Sequence, residues 1–526
     1  MDAAADKIPQ RCDVFIVGGG INGAGIARDL AGRGFSVVLA ERDDLAQHTS
    51  SASTKLIHGG LRYLEHYEFG LVRKALAERE VLLRSAPHIM RPLRFVLPHD
   101  PSMRPAWLIR LGLVLYDHLA RRAVLAASRA VDLRRHEAGA PLKPRYTRGF
   151  EYSDGWVDDA RLVVLNAVDA HRRGATVLTR TECVRAQRQA AGWSVSLRGR
   201  DGASATVQAR ALVNAAGPWA ERFLREVARP ARGEALATRS LRLVKGSHIV
   251  VPCLFEHPYA YIFQSPDKRI VFAIPYEERF TLIGTTDVEI HDAPERAAIN
   301  GDEIAYLCAQ ASRYFARTVQ PQDVVWSYSG VRPLLDDRSG DPSAVTRDYV
   351  LETDARAAPL LTVWGGKITT FRKLAEEAGD SIARMLGERR PAWSRGAFLP
   401  GGDLSGWIGA ATVPDVDLAR FVAAVERRYP WLAPAVARRL ARAYGSLIER
   451  ALGGAASRAQ LGREVAPGLF EAELAYLRCE EWAASADDVL WRRSKLGLHY
   501  GERERQAVER WFATAPAAAA VGETAP

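Results

Sequence analysis

An α/β fold with a dinucleotide-binding domain, a separate antiparallel sheet and a helical C-terminal domain is predicted by three stretches of this sequence. A strand, a glycine turn, a helix and a second strand follow one another across 13–41. Short β-type runs crowd 240–290, and apolar residues recur at helical spacing beyond 403. The chain of 526 residues has room for about two to four domains. With 48% hydrophobic and 25% charged residues it has an ordinary globular make-up.

The first unit is the most specific. Residues 13–17 form a buried-strand run, and Gly18-Gly19-Gly20-Ile21-Asn22-Gly23 matches G-x-G-x-x-G. Ile26, Ala27, Leu30 and Ala31 keep helical spacing, Gly32 and Gly34 end the helix, and 36–40 form a second strand closed by Glu41. In this context the motif has a physical meaning. Gly18 permits a tight turn, Gly20 lets the backbone approach a pyrophosphate, and Gly23 lets helix and strand pack closely. The helix N-terminus meets the phosphate charge, and Glu41 is placed to accept hydrogen bonds from an adenosine ribose.

The glycine turn alone does not separate NAD from FAD. The hydroxyl-rich segment that follows, Thr49, Ser50, Ser51 and Ser53, with Lys55, His58, Gly59 and Gly60, suits further phosphate and flavin oxygens. The chain then runs into loop and helix rather than another βαβ unit, which favours FAD.

From about 66 to 125 the pattern reads as largely helical, interrupted by a Pro- and Arg-rich passage at 91–105. Residues 91–122 combine Trp107, Leu108, Leu111, Leu115 and Tyr116 with Arg104, Arg110, Arg121 and Arg122. Such an element either lies in a lipid headgroup layer or packs on the protein's own core. The runs at 248–251, 260–263, 270–274 and 281–283, with a turn at 265–268, predict an antiparallel meander. Beyond the Pro-Gly-Gly of 400–402, Leu418, Phe421, Val422 and Val425 share one helical face, and further helices are expected near 431–445, 468–484 and 502–512. Residues 513–526 read as a frayed tail.

Composition narrows the function classes. The 72 basic side chains against 62 acidic ones give a net charge of +10, which favours anionic partners without choosing among them. No nucleic-acid-binding motif accompanies the charge, so nucleic acid is not expected as a partner. The five cysteines, Cys12, Cys183, Cys253, Cys308 and Cys479, lack metal or dithiol spacing. No metal site is expected, and a reducing compartment is. No secretory signal is read, and no apolar run approaches the roughly 18 residues of a membrane span.

Several motifs together carry a resemblance. They are 16–41, the segment from Thr49 to Glu65, Gly149-Phe-Glu-Tyr-Ser-Asp154, Lys245-Gly-Ser-His248, Gly284-Thr-Thr-Asp287, Ser329-Gly-Val-Arg-Pro333 and Gly365-Gly-Lys-Ile-Thr-Thr-Phe-Arg372. Over about 10–512 the chain resembles the aerobic, FAD-dependent glycerol-3-phosphate dehydrogenases. The resemblance implies a Rossmann-like FAD-binding domain of the D-amino-acid-oxidase type, assembled from about 10–90, 145–240 and 325–400. It implies a substrate domain from about 91–144 and 241–324, and a helical domain at 401–512. It also implies glycerol 3-phosphate as substrate, a membrane quinone as acceptor, and a peripheral position on the cytoplasmic, anionic face of a bacterial inner membrane. A homodimer is among the assemblies left open, as is the role of the C-terminal domain.

By the same resemblance Arg62, Tyr63 and Arg332 belong to the substrate pocket, with His248 and Lys367. Asn214, Ala216 and Gly217 would end a strand against the cofactor phosphates. Gly366, Lys367 and Thr369 would face the flavin N1–C2 edge, where negative charge appears on reduction. A secondary alcohol ionises too weakly to react unaided, so a base is expected. His248 is the favoured one, with Lys367 and His58 as alternatives; His58, beside glycines, also suits orienting the flavin. Arg332 is expected to assist catalysis by fixing the anionic substrate. An oxygen-using oxidase and an amine or amino-acid oxidoreductase on the same fold are the competing activities.

Overall fold

Two sheets divide the first 400 residues between them. The computed structural model describes residues 8–514 except 101–103, 232–233, 268 and 337–347; the side chains of Arg62 and His66 are also outside the description. Strand β1 (Arg11–Val17) buries Val14, Phe15 and Ile16, and the glycine turn leads into α1 (Ile21–Gly32) and β2 (Val37–Ala40). Next come β3 (Leu56–Ile57), α2 (Phe69–Ser85), β4 (Met90–Pro98), α3 (Ala106–His118), β5 (Arg129–Asp132), β6 (Arg148–Val157) and α4 (Asp159–Arg172). Strands β7 (Thr176–Leu178), β8 (Thr181–Arg188), β9 (Trp193–Gly199) and β10 (Ser204–Asn214) lead to a short turn α5 (Ala220–Arg222) and to β11 (Ala228–Arg229).

The middle of the chain forms β12 (Leu241–Pro252), β13 (Ala260–Gln264), β14 (Ile270–Tyr276), β15 (Phe280–Gly284) and β16 (Val288–Ile290). After α6 (Gly301–Tyr314) come β17 (Trp326–Leu335), β18 (Val350–Asp354), β19 (Leu360–Trp364) and α7 (Phe371–Met385).

The cofactor sheet has the order β11-β8-β9-β10-β1-β2-β7, with β19 beside β10 and β18 beside β19. Its centre is parallel: Ile16 lies opposite Leu39 on one side and Val213 on the other, and Val213 opposite Leu361. These strands are buried on both faces, so they read as continuous apolar runs. Helices α1, α4 and α7 cover one face with Ile26, Leu30, Val163, Phe371 and Leu374. The carboxyl ends of β1, β10 and β19 therefore open on one rim, the usual ligand position in such sheets.

The second sheet runs β16-β12-β15-β14-β13-β4-β6-β3, with β17 on β12 and β5 on β6. Helix α6 packs Leu307 and Ala311 on one side of it, and α2 and α3 pack Leu76 and Leu113 on the other. The meander expected at 240–290 forms β12 to β15. The boundaries expected from the sequence shift, however. Strands β6 and β17, inside stretches assigned to the cofactor domain, belong to this sheet; β4 joins them from the Pro- and Arg-rich passage, where no strand was expected. Strand β4 was hidden because Arg91, Pro92 and Arg94 break the apolar alternation that marks a strand.

Helices α8 (Ser405–Ile408), α9 (Pro414–Arg428), α10 (Pro434–Tyr444), α11 (Ile448–Ala451), α12 (Glu471–Glu480) and α13 (Glu502–Thr514) enclose a core of their own, including Phe421, Val425, Leu440, Leu474 and Val508. The last helix reaches Thr514, past the expected start of the tail; 515–526 lie outside the described residues. Buried ion pairs, Arg161–Glu481 and Arg493–Asp44, tie this domain to the cofactor domain.

Candidate active site

The ends of the parallel strands lead into two adjoining cavities. The first, of 240 Å³, is lined by Gly18, Gly20, Asn22, Glu41, Thr49, Ser50, Ala216, Gly217, Gly365 and Gly366, among others. Its floor is the glycine turn. Gly18 has φ +107°, and a Cβ at Gly23 would lie 1.8 Å from the Gly18 carbonyl oxygen, so side chains are excluded where α1 begins. The Gly19 N–H donates to Glu41 Oε2 (2.6 Å) and the Asp43 N–H to Oε1 (2.9 Å), which fixes the carboxylate at the cavity wall. Burial pushes its pKa up. The Ile21 N–H at the helix start donates to Ser50 Oγ (3.0 Å).

This cradle fits a dinucleotide. A helix N-terminus and a side-chain-free turn face the space, a buried carboxylate stands at the end of the second strand, and Asn22 Oδ1 is a buried acceptor with no partner among the described residues. Gly365 and Gly366, at φ +72° and +102°, continue the same main-chain wall into the second cavity.

The second cavity, of 660 Å³, is bounded by both sheets. His248 on β12 is buried between Gly284 of β15 and Tyr328 of β17, its partners in the ladder. Its ring stacks on Tyr328 (4.8 Å between centroids, 16°). A Cβ on Gly284 would come within 2.0 Å of the imidazole, so a glycine there makes the room. Nε2 shares a 2.9 Å hydrogen bond with Thr54 Oγ1; Nδ1 has no partner among the described residues. Burial above all, with the Arg332 and Lys55 cations, holds the imidazole well below its ordinary pKa, so it is neutral.

Arg332, half-buried on β17, donates to Asp287 and, through Nη2, to Thr285 Oγ1 (3.2 Å). Gly246 leaves the space for it, since a Cβ there would lie 2.4 Å from Nη2. Lys367 places its ammonium 4.0 Å from the centre of the Tyr63 ring. Both line this cavity, as do Ser53, His58, Gly60, Gly366 and Thr369. Burial, as the main cause, also lowers the pKa of His58.

Other residues expected at the cofactor lie elsewhere. Lys55 is fully buried and donates to Asp159 Oδ1 (2.7 Å) and the Ser51 carbonyl (3.1 Å); it props the segment from behind. Ser51 turns its hydroxyl to the His48 carbonyl, and the Gly59 N–H donates to Tyr116 Oη (2.8 Å). Asn214 is buried and donates to the Ala220 carbonyl (2.9 Å), holding the turn that presents Ala216 and Gly217. Gly23 acts through packing, and Gly19 through its close approach and its N–H to Glu41. Arg62 lies outside the described side chains.

The structure adds Thr54, Arg269, Phe272, Thr285, Asp287 and Asp348 to the cavity wall. The Gly-Thr-Thr-Asp motif was visible in the sequence. Nothing in its spacing said that Asp287 meets a residue forty-five positions later.

Comparison with known proteins follows the same division. A family profile described as "FAD dependent oxidoreductase" matches residues 13–372. One described as "C-terminal domain of alpha-glycerophosphate oxidase" matches 394–519. A glycerol-3-phosphate dehydrogenase of Pseudomonas aeruginosa is 53% identical, with 92% of each chain covered. A D-erythritol 1-phosphate dehydrogenase of Brucella abortus is 50% identical, over 96% of this chain and 98% of that one. The solved glycerol-3-phosphate dehydrogenase of Bacillus halodurans, complexed with FAD, superposes with a TM-score of 0.75 at 26% identity, covering 96% of this chain and 90% of that one.

Proposed function

This chain belongs to the FAD-dependent oxidoreductase family, in its glycerol-3-phosphate dehydrogenase branch, and from that premise we propose that it oxidises sn-glycerol 3-phosphate at C2 to dihydroxyacetone phosphate. The single observation that carries the reading is the convergence in one cavity of a neutral imidazole, His248, with the cations of Arg332, Arg269 and Lys367.

The residues divide the work. The glycine turn, the start of α1 and Glu41 hold the dinucleotide part of FAD, and the Gly365–Thr369 stretch holds the flavin. Bound FAD supplies the two-electron acceptor. Arg332 binds the phosphate; its pairing with Asp287 and Thr285 fixes the guanidinium plane, which presents its donors as a fork. Tyr63 and Lys367 complete the substrate wall. His248 accepts the C2 hydroxyl proton, and its imidazole is unprotonated at neutral pH.

A membrane quinone is the electron acceptor in this reading, and α3 supports it. Ile109, Leu113 and Tyr116 face the core, while Trp107 (68% exposed), Leu108, Leu111, Val114 and Leu115 face outward beside exposed Tyr67 and Phe69. Arg121, just past the end of α3, is exposed as well, whereas Arg104, Arg110 and Arg122 are engaged by Glu65, Ser128 and Asp117. An exposed apolar helical face of this kind suits the headgroup layer of a membrane. Among the described residues no helix is long and apolar enough to cross a membrane.

Anaerobic addition of glycerol 3-phosphate to the purified yellow protein is expected to bleach the flavin bands. Persistence of the oxidised spectrum overturns the reading; bleaching by erythritol 1-phosphate alone moves it to a longer polyol phosphate. Faster turnover with a quinone dye than with oxygen is expected of a dehydrogenase, and the reverse order marks an oxidase.

A further inference from the structure

One six-residue stretch of the C-terminal domain touches both halves of the site. Asp488–Arg493 forms a π-helical segment. From it Arg493, fully buried, grips the carboxylate of Asp44 (Nη2–Oδ1 2.8 Å), and Arg492 reaches the same carboxylate through Nε (2.5 Å). Asp44 is buried in the turn between Glu41 and His48, whose flanking residues line the first cavity. That turn is closed by Asp44 and Gln47, which exchange hydrogen bonds of 3.1 and 3.2 Å. Asp488 in turn accepts from Arg180, whose N–H donates to the Asp43 carbonyl (2.8 Å).

From the same segment Trp491 stacks on Trp326 of β17 (4.7 Å, 17°). Trp326 packs against Tyr328 (5.0 Å), and Tyr328 is the ring on which His248 lies. The Tyr328 hydroxyl donates to the Ser53 carbonyl (2.8 Å), so this ring also meets the cofactor segment.

We propose that Asp488–Arg493 is a positioning segment: Arg493 sets the ribose-binding turn through Asp44, and Trp491 sets His248 through Trp326 and Tyr328. A contact that merely glued two domains together would need no buried charge. Desolvating a carboxylate and two guanidinium groups is costly, and apolar packing would hold the domains as well. What the ion pair adds is direction, because a bidentate fork fixes where the carboxylate stands. The second arm rests on the reading of His248 as base; the first requires only that FAD binds.

The test uses the full chain and four variants, Arg493→Met, Arg493→Lys, Trp491→Leu and Trp491→Phe. FAD affinity is measured by flavin titration of the deflavinated protein, and kcat/KM for glycerol 3-phosphate is measured against pH on flavin-saturated enzyme. Arg493→Met is expected to weaken FAD binding at least tenfold, with Arg493→Lys in between. Trp491→Leu is expected to leave FAD affinity within twofold and to lower kcat at least fivefold while moving the acid limb of the profile, with Trp491→Phe restoring both. Lower melting temperatures with FAD affinity and pH profile within twofold of the parent overturn the proposal. If Arg493→Met does not fold, Arg493→Lys decides the first arm, and parental affinity sinks it. A parent chain that binds FAD yet ignores glycerol 3-phosphate defeats the functional reading and leaves the first arm standing.

Discussion

At the parallel sheet, β1, the glycine turn, α1 and Glu41 build the floor of the wall proposed for ribose and pyrophosphate within residues 11–41, mostly as main chain. At the second sheet, the wall proposed for the substrate is assembled from His248 and Arg332 on strands and from Thr54, Thr285 and Asp287 on connections beside them, far apart in sequence, and it acts through side chains. Glycines serve both walls by different means. At Gly18 and Gly23 the missing Cβ lets backbone meet backbone; at Gly246 and Gly284 it makes room for one guanidinium and one imidazole. A wall of main chain is all-or-none, whereas a wall of side chains can be weakened one group at a time.

The sharpest way to break this comparison is to add a side chain to the first wall. Gly23→Val drives a branched Cβ into the Gly18 carbonyl, which already lies 1.8 Å from a single Cβ. The purified variant is expected to retain no measurable flavin, read as the ratio of 450 to 280 nm absorbance, with helix content by circular dichroism kept. Full flavin occupancy would mean that the turn is not the cofactor's floor.

The same logic separates the second wall. His248→Asn keeps a polar side chain on β12 and removes the proposed base. Flavin content is expected to be parental while kcat falls by roughly 10²- to 10⁴-fold. A decrease under about tenfold at every pH would transfer the role to Lys367 or to a water.

Gly246→Ala is a gentler probe. Its methyl would lie 2.4 Å from Arg332 Nη2 and 2.8 Å from Thr285 Oγ1, so the guanidinium must move. A displacement of about 1 Å in a positioning group costs on the order of 10²-fold in rate. The expected loss of kcat/KM is of that order, carried largely by KM, with FAD affinity unchanged. Joint loss of flavin and substrate affinity would show that the walls are not independent.

This contrast also explains what could be read in advance. Gly18 to Glu41 were legible because one local unit builds the floor of the cradle, so spacing and chemistry coincide there, while Ala216, Gly217, Gly365 and Gly366 reach it from distant segments. His248 and Arg332 were reached only through motif resemblance; their meeting depends on the register that puts Val244 beside Arg332 and Tyr328 beside His248 across β12 and β17. Lys55 shows the opposite error. A lysine in a hydroxyl-rich segment looks like a phosphate ligand, yet burial beside Asp159 turns it into a prop. The strand at 90–98 was missed because its arginines face Glu151 and Trp156 of β6, contacts that no local pattern contains.

The smallest effect expected is a shift in pH dependence, and it tests whether the two key side chains of the substrate wall share one field. Burial lowers the pKa of His248, and Arg332 lowers it further. The base is therefore competent above this depressed value, and kcat/KM should fall only as pH drops through it, below the ordinary 6.5 of imidazole. Arg332→Met removes one cation and leaves the burial, so the acid limb is expected to move upward, toward 6.5 but not to it, beneath a lower plateau. Stability carries the same sign. Unfolded, the histidine takes up a proton near pH 6.5; folded, it does not, so its contribution favours unfolding as pH falls below that value. His248→Asn should therefore flatten the loss of melting temperature between about pH 6.5 and 5. An acid limb unmoved in Arg332→Met, with that slope intact in His248→Asn, would place the titrating group outside this wall.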